Sequence, residues 1–304
     1  MSSILRAGVI GAGVFGGYHA QKYADFDEVA LAGVLDPHPE RAAALAEKAG
    51  GKAFADIEEF LSAVDVVSIA APAVRHGELA LAALRAGKPV YVEKPIATSL
   101  EDADKINAEA AKRNLVVATG FLERAAFAAM NLFEIPHAPL RMECARLGPP
   151  SPRNLDVSVV TDLMIHDLDL ALHLTAAEAV TVEAEGACVA NRLLDEASAE
   201  VSFEDGFMAT FRASRISDGR ERTLTIVYPE GEVRLDLLAH SFENTTPWPL
   251  DSGFEESPAG RDRLGASLSA FLAAVRGEGA PLADGRDGAR ALDLALAVEQ
   301  AAGG

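Results

Sequence analysis

Three groups of residues in this chain have the types and spacing of working chemistry. The first is Gly11-Ala12-Gly13-Val14-Phe15-Gly16, a G-x-G-x-x-G run. The second is Glu93-Lys94-Pro95, where the apolar run Val90-Tyr91-Val92 ends abruptly in a carboxylate, an ammonium and a proline. The third is Asp162-Leu163-Met164-Ile165-His166-Asp167-Leu168-Asp169-Leu170-Ala171-Leu172-His173. Glycines in the first pattern let a backbone turn tightly and approach a pyrophosphate, and a following helix offers free amides to the phosphates. A lysine can steady an oxygen that gathers negative charge. A histidine, with an unperturbed pKa of ~6.5, suits proton transfer near neutrality. Together these groups could oxidise an alcohol: a cradle for a dinucleotide, a base for the hydroxyl proton, and a donor for the oxygen.

The elements around them must put them where such chemistry occurs. A short apolar strand, Leu5–Ile10, precedes the glycines and an amphipathic helix follows. A second strand, Val29–Leu35, ends in Asp36, twenty residues past Gly16, where an acid meets the adenosine ribose hydroxyls. Asp36 favours NAD over NADP, because a 2′-phosphate would meet its negative charge; Arg41 nearby pulls the other way. Pro95 cannot continue a ladder and biases Lys94 toward extended geometry, so the lysine sits at a strand's carboxyl end. In open α/β sheets ligands bind at that end. Taken alone, Lys94 would read as an ordinary snorkelling lysine; the neighbouring motifs reverse that.

Helical and strand-like segments then alternate. They are a helix over 38–48, a strand over 65–70, a helix over 76–86, the strand into Glu93, a helix from Thr98 or Ser99 to Arg113, and a strand over 115–119. Strict βα alternation predicts a doubly wound parallel sheet. Ala71 and Pro72, just past a strand, are expected against the cofactor, along with Val14, Phe15 and Glu93. His76 reads as a helix-start residue on the nicotinamide side.

After residue 120 the alternation stops, and prolines appear at positions 136, 139, 149, 150 and 152. From about Val180, period-2 segments over 199–203, 207–214, 223–228 and 232–237 are joined by turns such as Glu204-Asp205-Gly206 and Pro229-Glu230-Gly231. That is hairpin chemistry. The sequence therefore predicts a Rossmann domain over 1–120 and an α+β domain over 121–304 with a large, mostly antiparallel open sheet. Helices over 162–174 and 263–276 would cover one face, and the last helix, 290–302, can pack back on the first domain. The stretch 240–260, with the only tryptophan, Trp248, reads as a loop over a site or a solvated connection.

Composition narrows the function classes. The chain has 304 residues, 49% of them hydrophobic, enough for two cores. With 27 basic against 46 acidic residues, its net charge of −19 repels nucleic acid and anionic membranes. No apolar run approaches the ~18 residues of a membrane span. The first strand begins almost at once, leaving no room for a signal peptide. Cys144 and Cys188 lie in predicted strands and read as buried thiols in a reducing compartment, so a cytoplasmic location is expected.

At helical spacing Asp162, His166, Asp169 and His173 form one polar stripe on an otherwise apolar helix. Such a stripe needs a partner. Asp162, four residues before His166, can orient the imidazole and raise its basicity. These residues could satisfy each other in the core, hold a metal, or supply a base facing the nicotinamide. The metal reading lacks a recognised spacing, and zinc would be redundant where nicotinamide takes the hydride, so no metal is expected. Lys94 at the cofactor cleft gives weight to the base.

Residues 5–120 and the helix over 162–174 resemble the Gfo/Idh/MocA oxidoreductase family, which includes glucose–fructose oxidoreductase and inositol dehydrogenases. The shared marks are Gly11-x-Gly13-x-x-Gly16, Glu93-Lys94-Pro95 and Asp162-x-x-x-His166. The resemblance covers nearly the whole chain. It implies that Lys94 hydrogen-bonds the reacting hydroxyl, that His166 is the acid–base residue, and that Asp162 positions substrate and histidine. It also implies a homodimer or homotetramer. A narrower likeness, to members acting on UDP-linked amino sugars, rests on the segment from Arg146 to Asp167, and makes Arg146 and Arg153 candidates for the diphosphate or sugar. Relatives often carry Glu-Arg-Phe-Asn-Pro where this chain keeps only Glu123-Arg124, a segment on the substrate side that makes Arg124 a further substrate candidate. The expected activity is NAD-dependent oxidation of a secondary hydroxyl of a sugar, a UDP-linked amino sugar among the options. The rivals are a free-sugar or cyclitol dehydrogenase and a non-catalytic NAD-binding sensor.

Overall fold

The computed structural model describes residues 4–150, 156–175, 177–189 and 192–303. The chain divides into two compact units, Met1–Leu122 with Asp262–Ala289, and Glu123–Arg261 with Arg290–Gly304.

The first unit is built on strands β1 (Leu5–Ile10), β2 (Val29–Leu35), β3 (Lys52–Phe54), β4 (Val66–Ile69), β5 (Val90–Val92) and β6 (Val117–Thr119). All are parallel, in the order β3-β2-β1-β4-β5-β6. This is the doubly wound dinucleotide-binding topology. Helices α1 (Val14–Asp25), α2 (Pro39–Ala49), α3 (Ile57–Ala63), α4 (His76–Arg85) and α5 (Leu100–Arg113) lie between the strands in sequence. Local chemistry sets their ends. Asp56 caps α3 and Ser99 caps α5, while Gly50 and Asn114, both left-handed, stop α2 and α5.

Parallel pairing brings the strand ends level. Ile10 pairs with both Leu35 and Ile69, Ile69 with Val92, and Val92 with Thr119. The residues leaving these strands, Gly11, Asp36, Ala70, Glu93 and Gly120, therefore emerge along one edge.

One helix changes place from the sequence expectation. α9 (Arg263–Val275) packs in the first unit and not over the second sheet, as does the stretch up to Ala289. Its Leu268, Phe271 and Leu272 join the core that contains Tyr23 and Tyr91, and Ser267 Oγ lies 2.9 Å from Tyr91 Oη. A buried tyrosine hydroxyl needs such a partner. Periodicity marked the helix as amphipathic but carried no information on which sheet would receive it.

The second unit holds β7 (Arg141–Leu147), β8 (Ala179–Ala187), β9 (Glu196–Phe203), β10 (Met208–Ser214), β11 (Glu221–Tyr228), β12 (Gly231–Asp236) and β13 (Ser241–Asn244). Their order is β13-β12-β11-β7-β10-β9-β8, antiparallel except for the β7–β10 pair. One face is buried, through Met142, Cys144, Val201, Phe211, Leu224, Ile226 and Val233. The other carries alternating polar residues such as Glu143, Glu200, Thr210 and Arg234. Helices α6 (Glu123–Ala129), α7 (Ile165–Thr175), the short α8 (Pro258–Arg261) and most of α10 (Gly285–Ala301) belong to this unit.

Three further expectations are corrected. Cys144 is buried in β7, but Cys188 lies just past β8 and is exposed. The stretch 240–260 is neither a free loop nor wholly solvated: it contains β13 and a buried Phe254, and Trp248 packs edge-on against His137 and Tyr228. The expected single helix over 162–174 begins with a π-helical turn, Val160–Met164, before α7. Among the described residues, no helix is long and apolar enough to cross a membrane.

Candidate functional site

At the edge of the first sheet, the glycine run has the shape of a phosphate cradle. Gly11 has φ +102°, and a Cβ there would lie 2.6 Å from the Ala70 carbonyl oxygen. A Cβ on Gly16 would lie 1.7 Å from the carbonyl oxygen of Gly11, so this glycine fixes how closely α1 approaches β1. At Gly13 a Cβ would meet nothing within 4 Å. Space is left on that side, and α1 starts at Gly13 with no side-chain cap, its first amides available to an anion. Val14 and Phe15 follow, both exposed. Asp36 accepts from Ala12 N at 2.7 Å and His38 N at 2.8 Å. Each carboxylate oxygen keeps lone-pair capacity for a ribose hydroxyl. These residues fit NAD: amides for the diphosphate, a carboxylate for the ribose, and, among the described residues, no cation bonded to Asp36 to welcome a 2′-phosphate.

Further along the edge, His76 is buried inside the loops. Its Nδ1 lies 2.7 Å from the Pro95 carbonyl oxygen and its Nε2 2.9 Å from that of Ala71. Burial pushes its pKa down. Expected beside the nicotinamide, it sits between the Ala71-Pro72 loop and the Lys94-Pro95 turn, each nitrogen facing a backbone carbonyl and the neutral ring donating to one of them. Glu93, also expected against the cofactor, is a buried strut. Its Oε1 lies 2.9 Å from His19 Nε2, and His19 Nδ1 lies 3.0 Å from Ser68 Oγ, which contacts Tyr23 Oη at 2.7 Å. Burial alone would raise the Glu93 pKa; His19, with help from Lys94 and His76, holds it below the usual range. Lys94 follows directly, half-buried, across a cis bond to Pro95. His19 is missed by motif reading, although it shares a buried i, i+3, i+4, i+7 face with Gly16, Ala20 and Tyr23.

In the second unit, His166 stands at the start of α7, and its Nδ1 lies 2.9 Å from Glu123 Oε2, the first residue of α6. Glu123 Oε1 accepts from Arg146 Nη1 at 2.9 Å. Arg146, on β7, also donates from Nε and Nη2 to the two oxygens of Asp167, at 2.8 and 2.9 Å. Burial would raise the Glu123 pKa, but His166 and Arg146 hold it well below the usual carboxylate range. Burial would likewise weaken Arg146 as a cation, and Asp167 and Glu123 more than restore it. The result is a buried chain, Asp167–Arg146–Glu123–His166, drawn from three separate segments.

This changes the reading of two arginines. Arg146 is committed to Asp167 and Glu123, and Arg124 is held by Asp169 through a two-pronged bond of 2.8 and 2.6 Å. Both are buried and bonded to carboxylates, where substrate contacts were expected. Arg153 lies outside the described residues. Asp162 is buried in the π turn, and His173 packs against the Phe133 ring at 4.4 Å. Within the stripe foreseen along one helix face, Asp169 bonds Arg124, His173 packs on Phe133, and the acid facing His166 Nδ1 is Glu123. The signal for Glu123 was the retained Glu123-Arg124 pair.

Chemically, an ionised carboxylate 2.9 Å from Nδ1 favours a proton on that nitrogen and leaves Nε2 as the one that can take and return a proton.

Comparison with known proteins agrees with this architecture. Residues 5–121 match the model described as "Oxidoreductase family, NAD-binding Rossmann fold", and residues 141–234 match the GFO/IDH/MocA C-terminal domain. The chain is 37% identical to the UDP-N-acetylglucosamine 3-dehydrogenase of Acidithiobacillus ferrooxidans, over 98% of this chain and 97% of that protein. A solved structure of that enzyme superposes with a TM-score of 0.90, covering 98% of this chain and 97% of the other. The myo-inositol 2-dehydrogenase of Thermotoga maritima is 28% identical over 97% of this chain and 96% of its own.

Proposed function

We propose that this chain, which belongs to the Gfo/Idh/MocA family of NAD-binding oxidoreductases, oxidises the secondary 3-hydroxyl of a UDP-linked N-acetylamino sugar to a ketone. The observation that carries this reading is the His166–Glu123 pair, a proton acceptor fixed by an ionised buried acid. It stands in a chain 37% identical to an enzyme named for such a sugar.

His166 Nε2 takes the hydroxyl proton while Glu123 holds Nδ1 as the N–H. Lys94 donates to the same oxygen and favours the charge it carries on the way to the carbonyl. Asp162 orients the hydroxyl and the imidazole. NAD, when bound, supplies the acceptor for the hydride that leaves the carbinol carbon. Glu93 and His76 hold the turn that carries Lys94, and the Asp167–Arg146 pair holds Glu123. The chain works as a homodimer or homotetramer in the cytoplasm, with no nucleic acid or membrane partner; the acidic net charge supports the last point. The 28% identical inositol dehydrogenase keeps a cyclitol as the second substrate class to test.

The test is reduction of NAD by purified protein with UDP-N-acetylglucosamine, free sugars and cyclitols in separate reactions. A carbonyl trap draws the oxidation forward, and Lys94→Ala serves as the blank. Turnover with the UDP-sugar alone supports the proposal. Turnover only with cyclitols keeps the acid–base roles and replaces the substrate. No turnover with any of them, while NAD binds, overturns the enzymatic reading in favour of a sensor.

A further inference from the structure

Once Arg146 and Arg124 are spoken for by buried carboxylates, a different arginine is left facing open space. Arg222 lies on β11 directly opposite Arg146 of β7 in the antiparallel register. Directly opposed residues project to the same face of a sheet, so Arg222 shares the face of Arg146, Leu224 and Ile226. It lines a hollow within the second unit with Phe127, Arg146, Asp167, Leu224 and Leu237. Unlike Arg146, it is exposed. Among the described residues its guanidinium makes none of the side-chain bonds or ion pairs found around it, where Arg146 Nη1, Nε and Nη2 each meet a carboxylate oxygen. Desolvation, and then the Arg146 charge, push its pKa down, and the nearby Glu123 and Asp167 offset this only in part.

Two arginines placed opposite one another on a sheet repel, and the repulsion is tolerated where anions stand between or beside them. For Arg146 those anions belong to the protein. For Arg222, Glu123 and Asp167 favour the charge through space, and among the described residues no carboxylate is bonded to its guanidinium. The hollow also sits next to the acid–base residue. Arg146 lines it and touches Glu123, which in turn faces His166. A guanidinium presents a planar fork of donors suited to phosphate or carboxylate.

We infer that Arg222 is the oxyanion contact of the substrate site, receiving a phosphate or carboxylate carried by the sugar whose hydroxyl is oxidised. The inference rests on the dehydrogenase reading above, and it moves the anion-recognition role from Arg146 to a residue with no motif around it.

Calorimetric titration of the NAD-loaded protein tests this without any need for turnover. The probes are UDP, inorganic pyrophosphate, glucuronate and uridine, against wild type, Arg222→Met and Arg222→Lys. The expected result is an affinity loss of about 10- to 100-fold for the anionic probe in Arg222→Met, partial recovery in Arg222→Lys, and no change for uridine. An effect on UDP and pyrophosphate identifies a diphosphate; an effect on glucuronate alone identifies a sugar carboxylate. Equal binding of every anion to wild type and Arg222→Met overturns the inference, as does a wild type that binds none of them. The two readings fail separately. Anion binding through Arg222 with no NAD reduction by any sugar removes the dehydrogenase and leaves the anion site. Turnover of an anionic sugar with KM unchanged in Arg222→Met does the reverse.

Discussion

Replacing Glu123 by glutamine should harm catalysis more than replacing it by alanine. The reason lies in which atoms its two oxygens face. Oε1 accepts from Arg146 Nη1, and Oε2 faces His166 Nδ1, both at 2.9 Å. Arg146 can only donate, so a glutamine must turn its carbonyl oxygen to Arg146. That puts the amide NH₂ against His166 Nδ1, which must then accept. The ring is left with its proton on Nε2, the nitrogen proposed to take the substrate's proton. A comparable acid-to-amide change behind a catalytic histidine in another enzyme class lowers kcat by about 10⁴ through the wrong tautomer. A loss of about 10³–10⁴, or about 4–5.5 kcal/mol of barrier, is expected here. Alanine leaves the ring free to adopt either tautomer, and the loss is that of imprecise orientation, about 10²-fold.

The assay is appearance of reduced nicotinamide with whichever sugar the wild type oxidises, read as kcat with NAD saturating. NAD affinity should be unchanged, because Glu123 and the dinucleotide cradle belong to different compact units. Stability should fall by about 1–3 kcal/mol in the glutamine variant, since Arg146 keeps Asp167 and still finds an acceptor. A glutamine variant within about threefold of wild-type kcat, or one clearly faster than alanine, would refute the tautomer argument.

Other expectations follow from the same contacts. Gly13→Ala should leave the melting temperature unchanged and weaken NAD by about 10-fold or more, because its methyl group enters the space facing the phosphates. Gly16→Ala should instead cost several kcal/mol, on the order of 3 or more, with a methyl 1.7 Å from the Gly11 carbonyl oxygen; thermal melts and NAD titrations separate the two. Asp36→Ala should raise the KM for NAD and lower that for NADP, moving their kcat/KM ratio toward NADP by about 10-fold or more; an unchanged ratio would sink the assignment of Asp36 to the ribose. The folded-state pKa values of Glu93 and Glu123 are both depressed, so their contribution to stability is present above the unfolded glutamate value of ~4.3 and lost as pH falls below it. Denaturant titrations at stepped pH should show wild-type stability falling through that acid window, and a flatter profile in Glu123→Gln.

What could be read from sequence is what a local rule determines. The glycine spacing, the acid after β2 and the proline after Lys94 each follow from the backbone geometry of a few consecutive residues. Parallel pairing then does the rest, since strands with level ends bring Gly11, Asp36, Ala70 and Glu93 to one edge without any side-chain contact being known. The antiparallel character of the second sheet was equally local, carried by turns such as Glu204-Asp205-Gly206. A strand around Cys144 was legible too, but not its parallel pairing with β10, nor the fate of Arg146, a charged residue on its buried face.

That arginine shows why the rest was illegible. A charge on a core-facing position is tolerable only with a counter-charge, and the counter-charge is chosen by tertiary packing. Motif reasoning assigned Arg124 and Arg146 to a ligand because it had no partner to offer them. Yet the partners stood in plain view on α7, where Asp167 and Asp169 interrupt Ile165, Leu168, Leu170 and Ala171, all buried. Acids embedded in an apolar helix require buried cations as strictly as the arginines require acids. Matching the two sets in sequence would have suggested that the protein consumes both arginines internally. It would also have left Arg222, on a strand whose other inward residues are Leu224, Ile226 and Tyr228, as an inward-facing cation with no acid bonded to it among the described residues.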